Sequence, residues 1–232
     1  MHAEEIIISS VKCSIYKNGT GASIIYYFTS HNEAEAVASR LRKLTGKIPW
    51  TLVCIHVQSW NDTLSPWKAK GSGDETFGGM GNGTLSWLLG KCIPEVEKDC
   101  AYEKRFIGGY SLAGLFSLWA FIQSGMFCGV ASVSGSLWFE GWDEYIKDKK
   151  YPAESIVYLS LGLKEEKTIN PLMALVGERT RIQYEYIMRS PDVKDHILEW
   201  NNGGHFTEPD IRTAKAFAWL IKNNSLSEKS TS

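Results

Sequence analysis

The run Gly108-Gly109-Tyr110-Ser111-Leu112-Ala113-Gly114 sets a serine between a strand-like apolar run and an apolar helical run. A serine hydroxyl is a poor nucleophile until a base takes its proton, and the base needs an orienting acid on its other ring nitrogen. Gly109 and Ala113, two before and two after Ser111, are the small residues that a sharp, strained strand-to-helix turn requires, so the run reads as the nucleophile-elbow pattern G-x-S-x-G with Ala at its last position. The bare string occurs by chance about once in several chains of this length, so its weight comes from the strand before it and the helix after it. Gly21-Ala22-Ser23 has bulky Ile25 two residues on and cannot make the turn.

An acyl-transfer site of this kind has the chain order serine, acid, histidine, each at the C-terminal end of a strand. His2, His31, His56 and His196 precede the serine or lie within or at the start of strand patterns. His205 lies in Asn202-Gly203-Gly204-His205-Phe206, after the last strand pattern and before the last helix, where glycines let the loop turn back over the sheet. The acid should follow the preceding strand, in Gly162-Leu163-Lys164-Glu165-Glu166-Lys167; Glu165 is the first choice, with Glu166, Asp143, Asp192 and Asp195 as alternatives. Of the two backbone donors an oxyanion needs, one is expected at Leu112 and the other in Thr29-Ser30-His31, at Ser30 or His31.

The elements that must position these residues alternate. Strand-like runs cover 11–16, 22–28, 50–57, 105–110, 128–133, 155–161 and 196–201, with helical patterns over 32–44, 84–97, 112–123, 171–188 and 211–222. That alternation predicts a mostly parallel sheet with helices on both faces. Asn32 is a helix N-cap candidate, with Gly46 beyond the basic C-terminal turn. The segment 58–83 has no sustained period, and loops beyond about 12 to 15 residues in a compact domain are usually functional or disordered. Because it carries Trp60, Trp67 and Phe77, it is expected to be ordered and to line a site. Trp60, Trp67, Tyr110 and Phe206 are the expected pocket residues.

With the elbow, Gly162-x-x-Glu165 and Gly203-Gly204-His205-Phe206, the chain resembles the esterase-D-like group of α/β-hydrolases, the esterases related to feruloyl and acetylxylan esterases and ferric enterobactin esterase, over roughly residues 20 to 222. The resemblance implies a three-layer α/β-hydrolase fold and a serine esterase with a Ser–Glu–His or Ser–Asp–His triad and no cofactor. Ala113 in place of the commoner Gly, and a first loop without a His-Gly pair, are departures from the pattern; the start also looks short of one or two strands.

Length and composition bound the rest. The 232 residues fit one domain over 1–222, with a polar, Ser-rich tail at 223–232 expected to fray. The 25 basic and 26 acidic residues give a net charge of −1 without a long run of one sign, which points away from nucleic acid and anionic membranes. No apolar stretch approaches the roughly 20 residues of a membrane span, and the acidic opening is unlike a signal peptide, so a cytoplasmic protein is expected. Five scattered cysteines without a CxxC read as thiols, with neither a disulfide framework nor a metal site expected. The leading function is therefore hydrolysis of a small-molecule ester. The alternatives are an acyltransferase using the same acyl-enzyme and a non-catalytic hydrolase-fold binding module.

Overall fold

The computed structural model describes residues 2–30, 33–71 and 73–225, with side chains as far as residue 223. Its strands are β1 (Glu4–Ile8), β2 (Val11–Asn18), β3 (Ser23–Thr29), β4 (Trp50–His56), the short pair β5 (Lys68–Lys70) and β6 (Thr76–Gly78), then β7 (Lys104–Tyr110), β8 (Gly129–Val133), β9 (Ser155–Gly162) and β10 (Val193–Asn201). All but β5 and β6 share one eight-stranded sheet, in the order β1-β2-β4-β3-β7-β8-β9-β10. From β4 to β10 the neighbours are parallel, whereas β1 and β2 form an antiparallel edge. β3, β4 and β9 are buried along their whole length, as strands covered on both faces must be.

Two apolar layers do the covering. On one face α1 (Ala34–Thr45) and α9 (Pro209–Ser225) bury Val37, Leu41, Phe217 and Leu220 against Ile25, Leu52 and Phe106. On the other face lie α3 (Gly81–Trp87), α4 (Ile93–Glu97), α5 (Leu112–Ser124), α6 (Trp142–Ile146) and α8 (Val176–Arg189), with the short α2 (Trp60–Thr63) ahead of α3 in the chain and the short α7 (Pro171–Ala174) ahead of α8. Residues 112–121 of α5 are all buried, which explains why this helix is apolar on every side.

The seven expected strands are all present, and the layered arrangement is the expected one. Several boundaries differ for physical reasons. β1 precedes the first expected strand: Glu4 and Glu5 hide its run, an edge strand where charge is tolerated and Glu4 pairs with Lys17 of β2. The helix expected over 84–97 contains a π turn at Leu88–Cys92, just ahead of Pro94, which has no N–H for the carbonyl of Gly90. The pattern over 171–188 divides into α7 and α8 at Leu175, and Asn170 caps α7 by accepting from the N–H groups of Leu172 and Met173. His31, the proposed cap Asn32 and residues 226–232 of the expected tail lie outside the described residues; α9 continues through Ser225.

The junction of β7 and α5 is a close approach. Ser111 has φ +59° and ψ −124°, a conformation L-residues rarely adopt. A Cβ on Gly109 would lie 2.6 Å from both the Cβ and the carbonyl carbon of Ala113. Small residues are thus needed at both positions, and Ala suffices at the second. Gly109→Ala should cost about 1–3 kcal/mol of stability through overpacking. Gly83→Ala, on the exposed side of α3 with nothing within 4 Å of the added carbon, should be neutral or stabilise by up to about 1 kcal/mol. Urea unfolding of the two variants checks the contrast.

Candidate active site

The parallel sheet brings the chosen side chains to one edge. Ser111 follows β7, Ser134 follows β8, Glu165 follows β9 and His205 follows β10, so all four leave the C-terminal ends of adjacent strands. Asn201 of β10 is registered with Gly162 of β9, and beyond that pair the Leu163 N–H donates to the Asn201 carbonyl at 2.8 Å and the Lys164 N–H to the Gly203 carbonyl at 3.0 Å. The acid loop and the histidine loop are therefore laced together. A Cβ on Gly162 would lie 2.6 Å from the Gly203 oxygen, which is why glycine stands there. Of the two glycines before His205, only Gly203 has positive φ, at +91°.

His205 Nδ1 lies 2.7 Å from Glu165 Oε2 and His205 Nε2 lies 2.9 Å from Ser111 Oγ. A carboxylate only accepts hydrogen bonds, so Nδ1 is the donor to Glu165 and Nε2 is left to accept from the serine hydroxyl. Ser111 Oγ is also 3.4 Å from Ser136 Oγ. Tyr110 holds the loop from below, its hydroxyl donating to the His205 carbonyl at 2.6 Å.

Glu165 is 7% exposed, and its second oxygen is fully engaged. The Gly162 N–H donates to Oε1 at 2.7 Å, the Ser134 hydroxyl at 2.8 Å and Arg212 Nη1 at 3.3 Å. Burial is the largest influence on this carboxyl and opposes its ionisation; His205, Ser134 and the Gly162 amide together outweigh it and hold the group below the usual carboxylate range. Glu166 is turned away and binds Arg181 through both oxygens, at 2.9 and 3.0 Å. Asp143 pairs with Arg179 outside the site.

Arg212 escaped the sequence reading. It is 2% exposed on α9, and its guanidinium reaches Glu165, Ser134 and the Tyr110 hydroxyl through Nη1 and the Asn202 carbonyl, at 2.7 Å, through Nη2. The available signal was an arginine in register with Ala216 and Leu220 at i, i+4 and i+8 on the buried face of the last helix. One cation thus ties the strand before Ser111, Glu165 and the His205 loop to a single helix.

A recess of about 350 Å³ opens beside Ser111, lined by Trp60, Phe77, Trp138, Met173, Val176 and Phe206 among others. A smaller one of about 200 Å³ also reaches Ser111 and His205 and includes Ser30, Tyr110, Trp60 and Phe206. Leu112 borders the larger recess and Ser30 the smaller. From the segment 58–83, Trp60 and Asn61 of α2 and Glu75 and Phe77 of the β5–β6 hairpin line the larger recess. Trp67 is the exception and is corrected here: it stacks on Trp142 at 6.4 Å between ring centres, packs on Phe139 and Tyr145, and donates to the Glu140 carbonyl, so it supports the wall from behind. Trp138 and Phe77, 6.1 Å apart, form the face that Trp67 was expected to provide. Among the described residues no group of three His, Cys, Asp or Glu side chains could hold a metal ion, and no helix is long and apolar enough to cross a membrane.

No family model matches the chain. Among curated proteins it is 28% identical over 156 residues to the uncharacterised protein YbbA of Bacillus subtilis, an alignment covering 63% of this chain and 62% of that protein, so the chain matches about three-fifths of the relative's length. Its structure is similar to an IroE-like serine hydrolase from Shewanella oneidensis, with a TM-score of 0.82 and 12% identity over 96% of this chain and 81% of that one. It is also similar to the siderophore hydrolase EstA from Aspergillus nidulans, with a TM-score of 0.75 and 13% identity over 95% and 94% of the two chains. At these identities the likeness is one of fold, and the fold is that of the α/β-hydrolases.

Since the folded-state value of Glu165 lies below the roughly 4.3 of a free glutamate, its contribution to stability is complete above that pH and is lost as pH falls through the folded value. Glu165→Gln removes that contribution at every pH. The stability gap between wild type and variant should therefore narrow between pH 5 and pH 3, as read by urea unfolding. Arg212→Met, which strands the buried carboxylate, should cost about 3–5 kcal/mol at pH 7.

Proposed function

We propose that this protein is a serine carboxylic ester hydrolase working through an acyl-enzyme on Ser111. The observation that carries this reading is the continuous hydrogen-bonded chain from Ser111 through His205 to an ionised, buried Glu165, with distances of 2.9 and 2.7 Å. Ser111 Oγ attacks the ester carbonyl carbon while its proton passes to His205 Nε2. The carbon–oxygen bond to the leaving group then breaks, and Nε2 returns that proton to the departing alkoxide, releasing the alcohol. Water repeats the sequence: it gives a proton to Nε2, attacks the acyl carbon, and frees the acid as the proton returns to Ser111.

Glu165 orients the imidazole and stabilises its positive form, with Arg212 and Ser134 holding the acid itself. The developing oxyanion is assigned to the N–H of Leu112, at the unpaired N-terminal end of α5, and to that of Ser30 in the loop after β3. The substrate is a small-molecule ester seated between Trp60, Trp138 and Phe206, with Tyr110 bordering the smaller recess. The five free cysteines fit a reducing compartment, so the cytoplasm is the proposed place of action. The assembled chain of hydrogen bonds favours turnover over the non-catalytic binding alternative.

A fluorophosphonate probe should label wild-type protein at Ser111, and a short-chain aryl ester should be cleaved. Ser111→Ala and His205→Ala should each lower kcat by about 10⁴ or more, with no further loss on combining them, because such residues act as a unit. Glu165→Gln should fall by about 10³–10⁴, and Glu166→Gln should stay near wild type. Full activity in purified, folded Ser111→Ala would end the proposal; a large loss confined to Glu166→Gln would move the acid.

A further inference from the structure

The walls of the larger recess are aromatic and aliphatic, and beyond the Ser111–His205–Glu165 group its lining includes one ionisable side chain, Glu75. Glu75 stands just before β6, and its Oε1 accepts from Asn61 Nδ2 of α2 at 3.0 Å, so the two segments of the site-lining loop hold it in place. Its partner is neutral. Among the described residues Glu75 is in no ion pair, and no lysine or arginine lines this recess. Lys70 and Arg179 line a separate recess that shares only Trp138 with this one, and Arg179 is paired there with Asp143. Arg212 is buried beneath Glu165.

A half-buried carboxylate among Trp60, Phe77, Trp138 and Phe206 discriminates by charge. An ammonium group gains the carboxylate's attraction and the negative faces of the rings, both strengthened where apolar walls exclude water. A neutral group of the same shape gains only its burial. An anion meets Glu75 with no cation to offset it.

We infer that the larger recess takes the ammonium-bearing part of a cationic ester, with Glu75, held by Asn61, as the residue that sets this preference. As a statement about an ester substrate it rests on the hydrolase reading above; as a statement about what the recess binds it does not.

Two isosteric pairs test it in the intact protein. Phenyl 5-(trimethylammonio)pentanoate against phenyl 6,6-dimethylheptanoate carries the charge on the acyl side, and acetylcholine against 3,3-dimethylbutyl acetate carries it on the alcohol side. In at least one pair kcat/KM should favour the cation by about 10-fold or more, the strength of a charge-assisted contact, with monophenyl adipate the poorest of the acyl series. Glu75→Gln should bring the cation-to-neutral ratio near one, and Glu75→Lys should favour the adipate. A wild-type ratio near one in both pairs, or a ratio untouched by Glu75→Gln, overturns the inference while leaving ester hydrolysis standing. If no ester is cleaved the hydrolase reading fails, and tryptophan-fluorescence titration with benzyltrimethylammonium and benzoate decides the recess alone. Selective binding of the cation that weakens about 10-fold in Glu75→Gln supports the inference, whereas benzoate binding as well as the cation, or no binding of either, overturns it.

Discussion

A carboxylate buried at the ends of three strands must be satisfied where it stands, and Glu165 sets that demand. Removing an ionised group from water costs several kcal/mol unless hydrogen bonds and a counter-charge replace the lost solvation. The replacements come from separated parts of the chain: the Gly162 amide at the end of β9, the Ser134 hydroxyl after β8, the His205 imidazole after β10 and the Arg212 guanidinium on α9. None of these can act until β8, β9 and β10 are in register and the last helix is docked. The acid's solvation thus reports on the completeness of half the sheet, and the same bonds leave His205 a single orientation.

The serine is held by a different kind of constraint. Its backbone is strained at φ +59°, and the strain is maintained by close packing of Gly109 against Ala113 and by the Ser111 amide donating to the Val133 carbonyl at 3.0 Å. A helix buried from Leu112 to Phe121 and a central strand meet there, so Ser111 stands on closely packed regular structure. The recess walls stand on its least regular part, the hairpin and short helix between β4 and α3. Reactive geometry and pocket shape are therefore carried by separate elements, and the pocket can change while the serine, acid and histidine stay fixed.

This division also explains what could be read from the sequence. The meeting of Ser111, Glu165 and His205 was legible because each position imposes a local backbone requirement that leaves a trace: small residues around the Ser111 turn, and glycines where two loops must cross closely. Strands β3, β4 and β9 were legible as apolar runs because both faces are covered. Strand β1 was not, since an edge strand may open on two glutamates, and neither was the β5–β6 hairpin, whose three residues a side are too short for their alternation to stand out. Trp67 was assigned to the pocket and Trp138 passed over because aromatic residues in irregular segments look alike until the packing is known. Arg212 was missed for a related reason: what matters is what its guanidinium touches, and its partners lie up to 102 residues away in the chain.

The two buried ionic arrangements bear on the charge a substrate meets. Glu165 faces Arg212 at 3.3 Å, both nearly inaccessible, so the pair is close to neutral from outside, and on the proposed mechanism the group gains a net positive charge only when His205 takes a proton. On that mechanism the transient positive charge is matched by the developing oxyanion, so it is compensated within the reacting group. Glu75 has no such compensation, because its partner is an amide. On the proposed reading the steady field in the larger recess is set by a residue that takes no part in proton transfer, which lets the reacting group keep its balance whatever charge the bound molecule carries at its far end.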